Sequence, residues 1–452
     1  MAYVYPFVGT RYNLKIVPNL SEIVTPPYDC IGPKLQEILY GRNPRNFVRI
    51  ELGKEIAGDD EFTNRYSRAA SLLQEWKRDQ TLIEDPKQSF YLMEQDYAHP
   101  DGKRFKRRGF YGLVRLQGYG AGQIRAHEQT FKGPKADRYR LMRATQYNLS
   151  PIFVLYKDPH NEVGELMASV MDKSKPGLSV CDDDGTNHSI WIASHKDLLR
   201  AISEVMRDRE LLIADGHHRF ETALHYRNEI RRVSGQKGGR HGSDYMMMYL
   251  VSMSDPGLQI LPTHRALADE AGVGVDVDEV IEDLKENFKV ETVGVDLRKE
   301  AEQSARALLN KIEAAGKKGV AMAMVLPGGK ACILTLKRGV DPAQLVADRD
   351  IPDVVARLDV SILHNYVIPN VWIGNPEIEL DEDDVLYSRD AAEMLRMLTC
   401  RKASVVFLMN PPQMKQILDV SDKGLRLPHK TTFFYPKIPS GLVMRDMRTI
   451  GA

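Results

Sequence analysis

Apolar positions along this chain recur in two rhythms, and the change from one to the other marks out its elements. YSRAASLLQEWKRD carries the helical pattern, which predicts a helix. QSFYLMEQDY and RGFYGLVRLQ, rich in aromatic and branched residues, flank the turn-forming AHPDGKRFK and predict a hairpin of strands. KGPKADRYRLMRATQ sets Leu141, Met142 and Ala144 in a second helix, and SPIFVLY after Asn148 reads as a strand. The apolar run LLIA leads into DGHHR, after which Phe220, Ala223 and Leu224 resume at helical spacing; YMMMYLVSM reads as a buried strand. Further on, VDEVIEDLKENF, VETVGV, EQSARALLNKIEAAG and VAMAMVLPGGKACILTLKR alternate helix and strand, with Pro327-Gly328-Gly329 as a hairpin turn. Beyond residue 341 helical patterns come first, and Pro and Gly punctuate the closing aromatic run PHKTTFFYPKIPSGLVMRDM.

These textures divide the chain into an N-terminal α+β segment 1–115, a segment 116–265 that holds the unusual residues, a small α+β segment 266–340 and a C-terminal segment 341–452 expected to pack on the core, without internal repeats. At 452 residues there is ample chain for a large core, and 43% apolar with 27% charged residues is ordinary for a globular protein. Lys plus Arg equals Asp plus Glu at 62 each, which counts against nucleic acid and anionic membrane surfaces as partners. No apolar run reaches membrane-spanning length, and the start MAYVYPFVGTRYN has no basic region before an apolar one, so a cytoplasmic location is expected. Cys30, Cys181, Cys332 and Cys400 lie far apart and read as idle thiols of a reducing compartment.

DGHHR carries the strongest chemical signal. A helix start leaves backbone N–H groups without intrahelical partners and bears partial positive charge, so it binds phosphate oxygens. Asp215 is expected to cap that start and Gly216 to let a ligand approach the backbone. His217, His218 and Arg219 then place cationic groups where the helix dipole disfavours them unless an anion is present. Arg219 can alternatively pair with Asp215 or Glu221. Adjacent histidines on a helix diverge too far to share one metal ion.

The second constellation is HEQT, with His127, Glu128 and Thr130. Glu128 is a candidate general base for a hydroxyl group, and the spacing is not that of a zinc protease helix. Lys135 and Arg138 could add charge toward phosphates or a substrate carboxylate, or face solvent. Thr263, His264 and Arg265 follow an apolar run and could line the same cleft. Tyr28 and Asp29 sit in a proline-stiffened turn, and Lys437 is expected to pack among aromatics.

Seven motifs in order, TPPYD, RAHEQT, KADR, NLSPIF, ADGHHRFETAL, LPTHR and TTFFYPKIPSGLV, resemble the family called domain of unknown function 1015, over nearly the whole chain. More distantly, HE, then a PI strand, then DGHHR is similar to the ParB/sulfiredoxin fold and its free L-serine kinases. That resemblance implies a ParB/sulfiredoxin-like core at 116–265, elaborated by large N-terminal, inserted and C-terminal segments. It also implies Glu128, with His127, as the catalytic pair and Asp215, Gly216, His217, His218 and Arg219 around nucleotide phosphates. Thr130, Lys135, Arg138, His264 and Arg265 are weaker substrate-binding candidates, and Asp215 is a candidate ligand for Mg²⁺. The implied activity is an alcohol-group phosphotransferase with ATP or ADP as donor and a small hydroxylated metabolite, foremost L-serine, as acceptor. The alternative is a non-catalytic nucleotide-binding regulator of ParB type. A long insertion between Pro151-Ile152 and DGHHR, and the flanking segments, depart from the kinases and leave the acceptor open.

Overall fold

The computed structural model describes residues 3–118, 123–126, 132–235, 241–268, 275–297, 300–349, 351–375, 377, 384–428 and 430–449. The chain divides into two compact units, one of residues 1–259 and 436–452 and the other of 260–435. Both are mixed α and β, which agrees with the expected class; the ParB/sulfiredoxin-like core stays an expectation. Among the described residues no helix is long and apolar enough to cross a membrane.

The first unit is built on a nine-stranded sheet of β1 (Val4–Tyr5), β2 (Phe90–Ala98), β3 (Arg104–Arg115), β4 (Ile124–Arg125), β5 (Ile152–Tyr156), β6 (Leu178–Cys181), β7 (Asn187–Ala193), β8 (Leu211–Asp215) and β9 (Tyr245–Ser252). Their order is β4-β8-β5-β9-β3-β2-β7-β6, with β1 beside β3. Strands of the 1–115 and 116–265 segments thus share one sheet. The predicted hairpin is β2–β3, although β3 begins at Arg104, inside the stretch read as a turn. Every residue of β5 and β9 is buried, as apolar runs covered on both faces should be. β9 runs parallel to β5 and antiparallel to β3.

Alternation along these strands supplies two apolar faces. Ile152, Val154, Ile213, Met246, Met248 and Leu250 pack with residues of α3 (Glu162–Met171), α4 (Lys196–Met206) and α5 (His217–Ser234), which follow α1 (Arg65–Arg78) and α2 (Lys132–Thr145) in the chain. The aromatics Tyr111, Phe153 and Tyr249 occupy the other face, with the Tyr111 and Tyr249 rings 5.2 Å apart. Buried Arg107 stacks on Phe153 at 4.7 Å and donates to the carbonyl of Pro436 at 2.5 Å, so the last segment of chain is tied to this face. Backbone bridges Thr25–Ser440 and Thr10–Met444 continue the tie.

The second unit holds a six-stranded antiparallel sheet. Its strands are β10 (His264–Ala268), β11 (Phe288–Gly294), β12 (Ala321–Val325), β13 (Lys330–Leu336), β14 (Val385–Ser388) and β15 (Ala403–Met409), in the order β11-β13-β12-β15-β10-β14. The β12–β13 hairpin turns at Gly328 and Gly329, both at positive φ, as the Pro-Gly-Gly sequence predicts. α7 (Ala301–Gly316) and α8 (Ala391–Thr399) pack with one set of apolar residues. α6 (Val277–Asn287) and an irregular helical run containing Pro369 pack with the other. The helical reading of the tail misses β14 and β15. ASVVFLM becomes a strand through its partners, since β15 lies between β12 and β10.

His264 and His364 are buried in this unit, and burial followed by the nearby Arg265 charge pushes both down to about 3. The unfolded chain therefore takes up protons at these positions as pH falls below ~6.5, while the folded chain does not. We expect the stability of this unit to fall on acidification through that window, by up to ~1.4 kcal/mol per pH unit for each histidine. Urea unfolding followed by hydrogen exchange in 264–268 measures this, and His364→Gln should flatten the slope.

Candidate functional site

β8 ends in an irregularity. Ile213 pairs with Val154 and Asp215 with Phe153, so Ala214 is the extra residue of a bulge that re-aims the strand end. Gly216 follows at φ 92°, ψ 30°, left-handed values that an L side chain adopts only at a cost, and α5 starts at His217. The space a Cβ would need at Gly216 is taken by the Arg219 guanidinium, 3.0 Å away. Gly216, not Asp215, is the N-cap residue, and no side chain caps this helix start.

Asp215 is engaged elsewhere. One carboxylate oxygen accepts from Arg219 Nη2 at 2.7 Å and the other from Lys437 Nζ. Burial pushes the Asp215 carboxyl up, but Lys437 and Arg219 outweigh it and hold the group down at about 2. Burial alone would lower Lys437, yet Asp215 raises it above the usual lysine range. Arg219 also donates Nη1 to the Pro151 carbonyl at 2.5 Å, while its buried Nε has no hydrogen-bond partner. Burial depresses His218, which favours the neutral imidazole. Two cations thus meet one carboxylate at a helix start, with Asp29 as a more distant negative charge.

Several stretches singled out in the sequence converge here. Tyr28, from the proline-stiffened turn, lies under the Arg138 guanidinium at 4.0 Å, and burial pushes its hydroxyl up to about 12. Arg138 bonds Asp137 and the backbone and side chain of Glu51, and Ser150 donates to the same Glu51 oxygen at 3.0 Å. Lys135 pairs with Glu221 across α2 and α5 at 2.8 Å. Between these helices Lys135, Tyr139, Glu221, Thr222 and His225 line a cavity of about 480 Å³. His264 and Arg265 lie in β10 of the 260–435 unit, and His127, Glu128 and Thr130 lie outside the described residues.

Lys437, Glu51 and Tyr28 are the residues that sequence reasoning undervalued. A lysine inside FFYPKIPSG was the one available signal for the first, because a charge among aromatics and prolines needs a partner. What the arrangement offers is cationic and N–H donor groups suited to an oxyanion. It does not suit a divalent cation at Asp215, since both carboxylate oxygens already face cations. Among the described residues no group of three or more His, Cys, Asp or Glu side chains is placed to hold a metal.

The profile of the family described as protein of unknown function (DUF1015) matches residues 4–361, so the chain belongs to that family. No curated protein matches. Among solved structures, the chain is similar to a conserved hypothetical protein from Pyrococcus furiosus at 18% identity and TM-score 0.29, covering 70% of this chain and 90% of that one. A free serine kinase in complex with AMP matches at 15% identity and TM-score 0.29, covering 71% and 89%. SbnI from Staphylococcus aureus matches at 12% identity and TM-score 0.32, covering 70% and 82%.

Replacing Asp215 by Asn would leave Arg219 and Lys437 without their counter-charge, and we expect a loss of ~3 kcal/mol in urea unfolding. Because the folded Asp215 titrates lower than an unfolded one, its contribution is full above ~pH 4 and fades as pH falls through about 2. The Asp215→Asn protein should lack that acid limb.

Proposed function

We propose that this member of a family without an assigned activity is a small-molecule kinase, transferring phosphate from ATP or ADP to an alcohol group, with L-serine the leading acceptor. The observation that carries the reading is the Arg219 guanidinium, held by Asp215 and Pro151 at the start of α5 with a buried, unpartnered Nε, and Lys437 beside it. Phosphoryl transfer asks little covalent chemistry of a protein but does need positioned positive charge and N–H donors around the transferring group. In this scheme the first turn of α5, His218, Arg219 and Lys437 take the nucleotide phosphates. Lys135 and Arg138 act through their carboxylate partners to hold the neighbouring wall.

Glu128 enters through the resemblance of HEQT to the motif of the L-serine kinases. Its carboxylate takes the proton from the acceptor hydroxyl while that oxygen forms a bond to the terminal phosphorus and the bond to the departing nucleotide oxygen breaks. Mg²⁺ accompanying the nucleotide would neutralise phosphate charge, and Asp215 is not its ligand in the arrangement described above.

The test is to incubate the protein with ATP or ADP, Mg²⁺ and a panel of hydroxylated metabolites and to look for phosphorylated product by mass spectrometry. Glu128→Gln should lower turnover by ~10²- to 10⁴-fold while nucleotide still binds. Nucleotide binding with no acceptor modified, and no effect of Glu128→Gln on any nucleotide reaction, would replace the kinase by the regulatory reading. His218→Ala and Arg219→Ala should each weaken nucleotide binding by ~1–3 kcal/mol in calorimetry. Unchanged affinity in both would move the phosphates elsewhere.

A further inference from the structure

The 260–435 unit contains a cavity of about 550 Å³, within the range of small-molecule sites. Its lining includes Arg265, Asp359, Asn410, Gln413, Gln416 and Thr431. Arg265 is only 2% exposed, yet among the described residues no carboxylate lies within ion-pair distance of it. Its hydrogen-bond partners are all uncharged: Nε donates to His364 Nε2 at 3.1 Å, Nη1 to the Thr263 carbonyl and Nη2 to the Lys430 carbonyl at 3.0 Å. A buried cation without a counter-charge costs several kcal/mol, so a protein that keeps one has a use for it.

The surroundings reinforce the excess of positive character. His264 Nδ1 accepts from the Met409 backbone N–H at 3.1 Å, so its proton sits on Nε2, a buried atom with no partner. Two carboxyls belong to the cavity wall. Glu313 is exposed and faces Lys317, while Asp359 accepts from the Ala321 N–H at 3.4 Å, and burial pushes its carboxyl up to about 7. Gln416 commits its Oε1 to the Gln413 N–H at 2.8 Å, which leaves the amide N–H groups as the end to offer a ligand. Asn410 commits its amide nitrogen to the Ile312 and Ala321 carbonyls and presents an acceptor instead.

We propose that this cavity is a second binding site, for a small metabolite bearing a carboxylate or phosphate, with Arg265 anchoring the oxyanion and the amides of Gln416 and Asn410 contacting the rest. The site lies wholly within the 260–435 unit and does not depend on the kinase reading of the other unit. Of the five guanidinium N–H groups, the three bonds above leave two for an oxyanion. The guanidinium suits either anion bidentately.

The full-length protein is titrated by calorimetry with inorganic phosphate and, separately, with malonate, which tells a phosphate ligand from a carboxylate one. We expect saturable binding of at least one, weakened ~10-fold or more by Arg265→Met, the scale of a lost charge-assisted bond. Without ligand, Arg265→Met removes a charge lacking a counter-ion but also the donor to His364 and to the Thr263 and Lys430 carbonyls, so its melting temperature is recorded to confirm that the variant is folded before binding is compared. Gln413→Trp, at an exposed position of the lining, should fold normally and lose the same binding, which keeps the test open should Arg265→Met misfold. Absence of saturable binding of either anion, or binding that survives both substitutions, overturns the proposal.

Discussion

A single carboxylate, Asp215, joins parts of the first unit that are far apart in the chain. It stands between Arg219, four residues on, and Lys437, in the segment that closes the chain. Desolvating these groups is unfavourable, and their mutual attraction offsets it only in good geometry. That requirement explains the details around it: the bulge at Ala214 that turns Asp215, the left-handed Gly216 that leaves room for the guanidinium, and the Pro151 carbonyl that takes a further N–H. The same constraint fixes where a helix start with uncapped N–H groups and excess positive charge is presented.

The closing segment matters as much as the strand-turn-helix. Pro436 accepts from Arg107, Lys437 offers its carbonyl to Gln95 and its ammonium to Asp215, and Ser440 and Met444 pair with Thr25 and Thr10. Arg445, almost fully buried, donates to the carbonyls of Gly242 and Tyr245. The segment therefore covers the aromatic face of the sheet and completes the charge cluster at once.

Two buried arginines follow opposite arrangements. Arg219 has a carboxylate partner and is raised above the usual range, since Asp215 outweighs the effect of burial. Arg265 has only uncharged partners, and burial depresses it to about 10. The first is a structural ion pair whose buried Nε keeps an unused donor; the second is a charge that lacks an anion. Neither distinction is visible in the residue type.

Much of the layout was legible in the sequence. Apolar periodicity identified the hairpin β2–β3, the strands β5, β8 and β9, the helix after DGHHR and the β12–β13 turn, because these patterns record which faces must leave water. Periodicity failed for β14 and β15, where a short apolar run fits helix or strand until its neighbours decide. Motif reading singled out Asp215 through Arg219 as candidates but could not pair Asp215 with Lys437, 222 residues away, or stack Arg138 on Tyr28. Local sequence determined most of the elements and the residue types offered at the strand-turn-helix, since both depend on short-range periodicity and side-chain type. Only the tertiary structure decided which charges meet, because an ion pair is set by where the fold brings two side chains, and chain separation does not encode that distance.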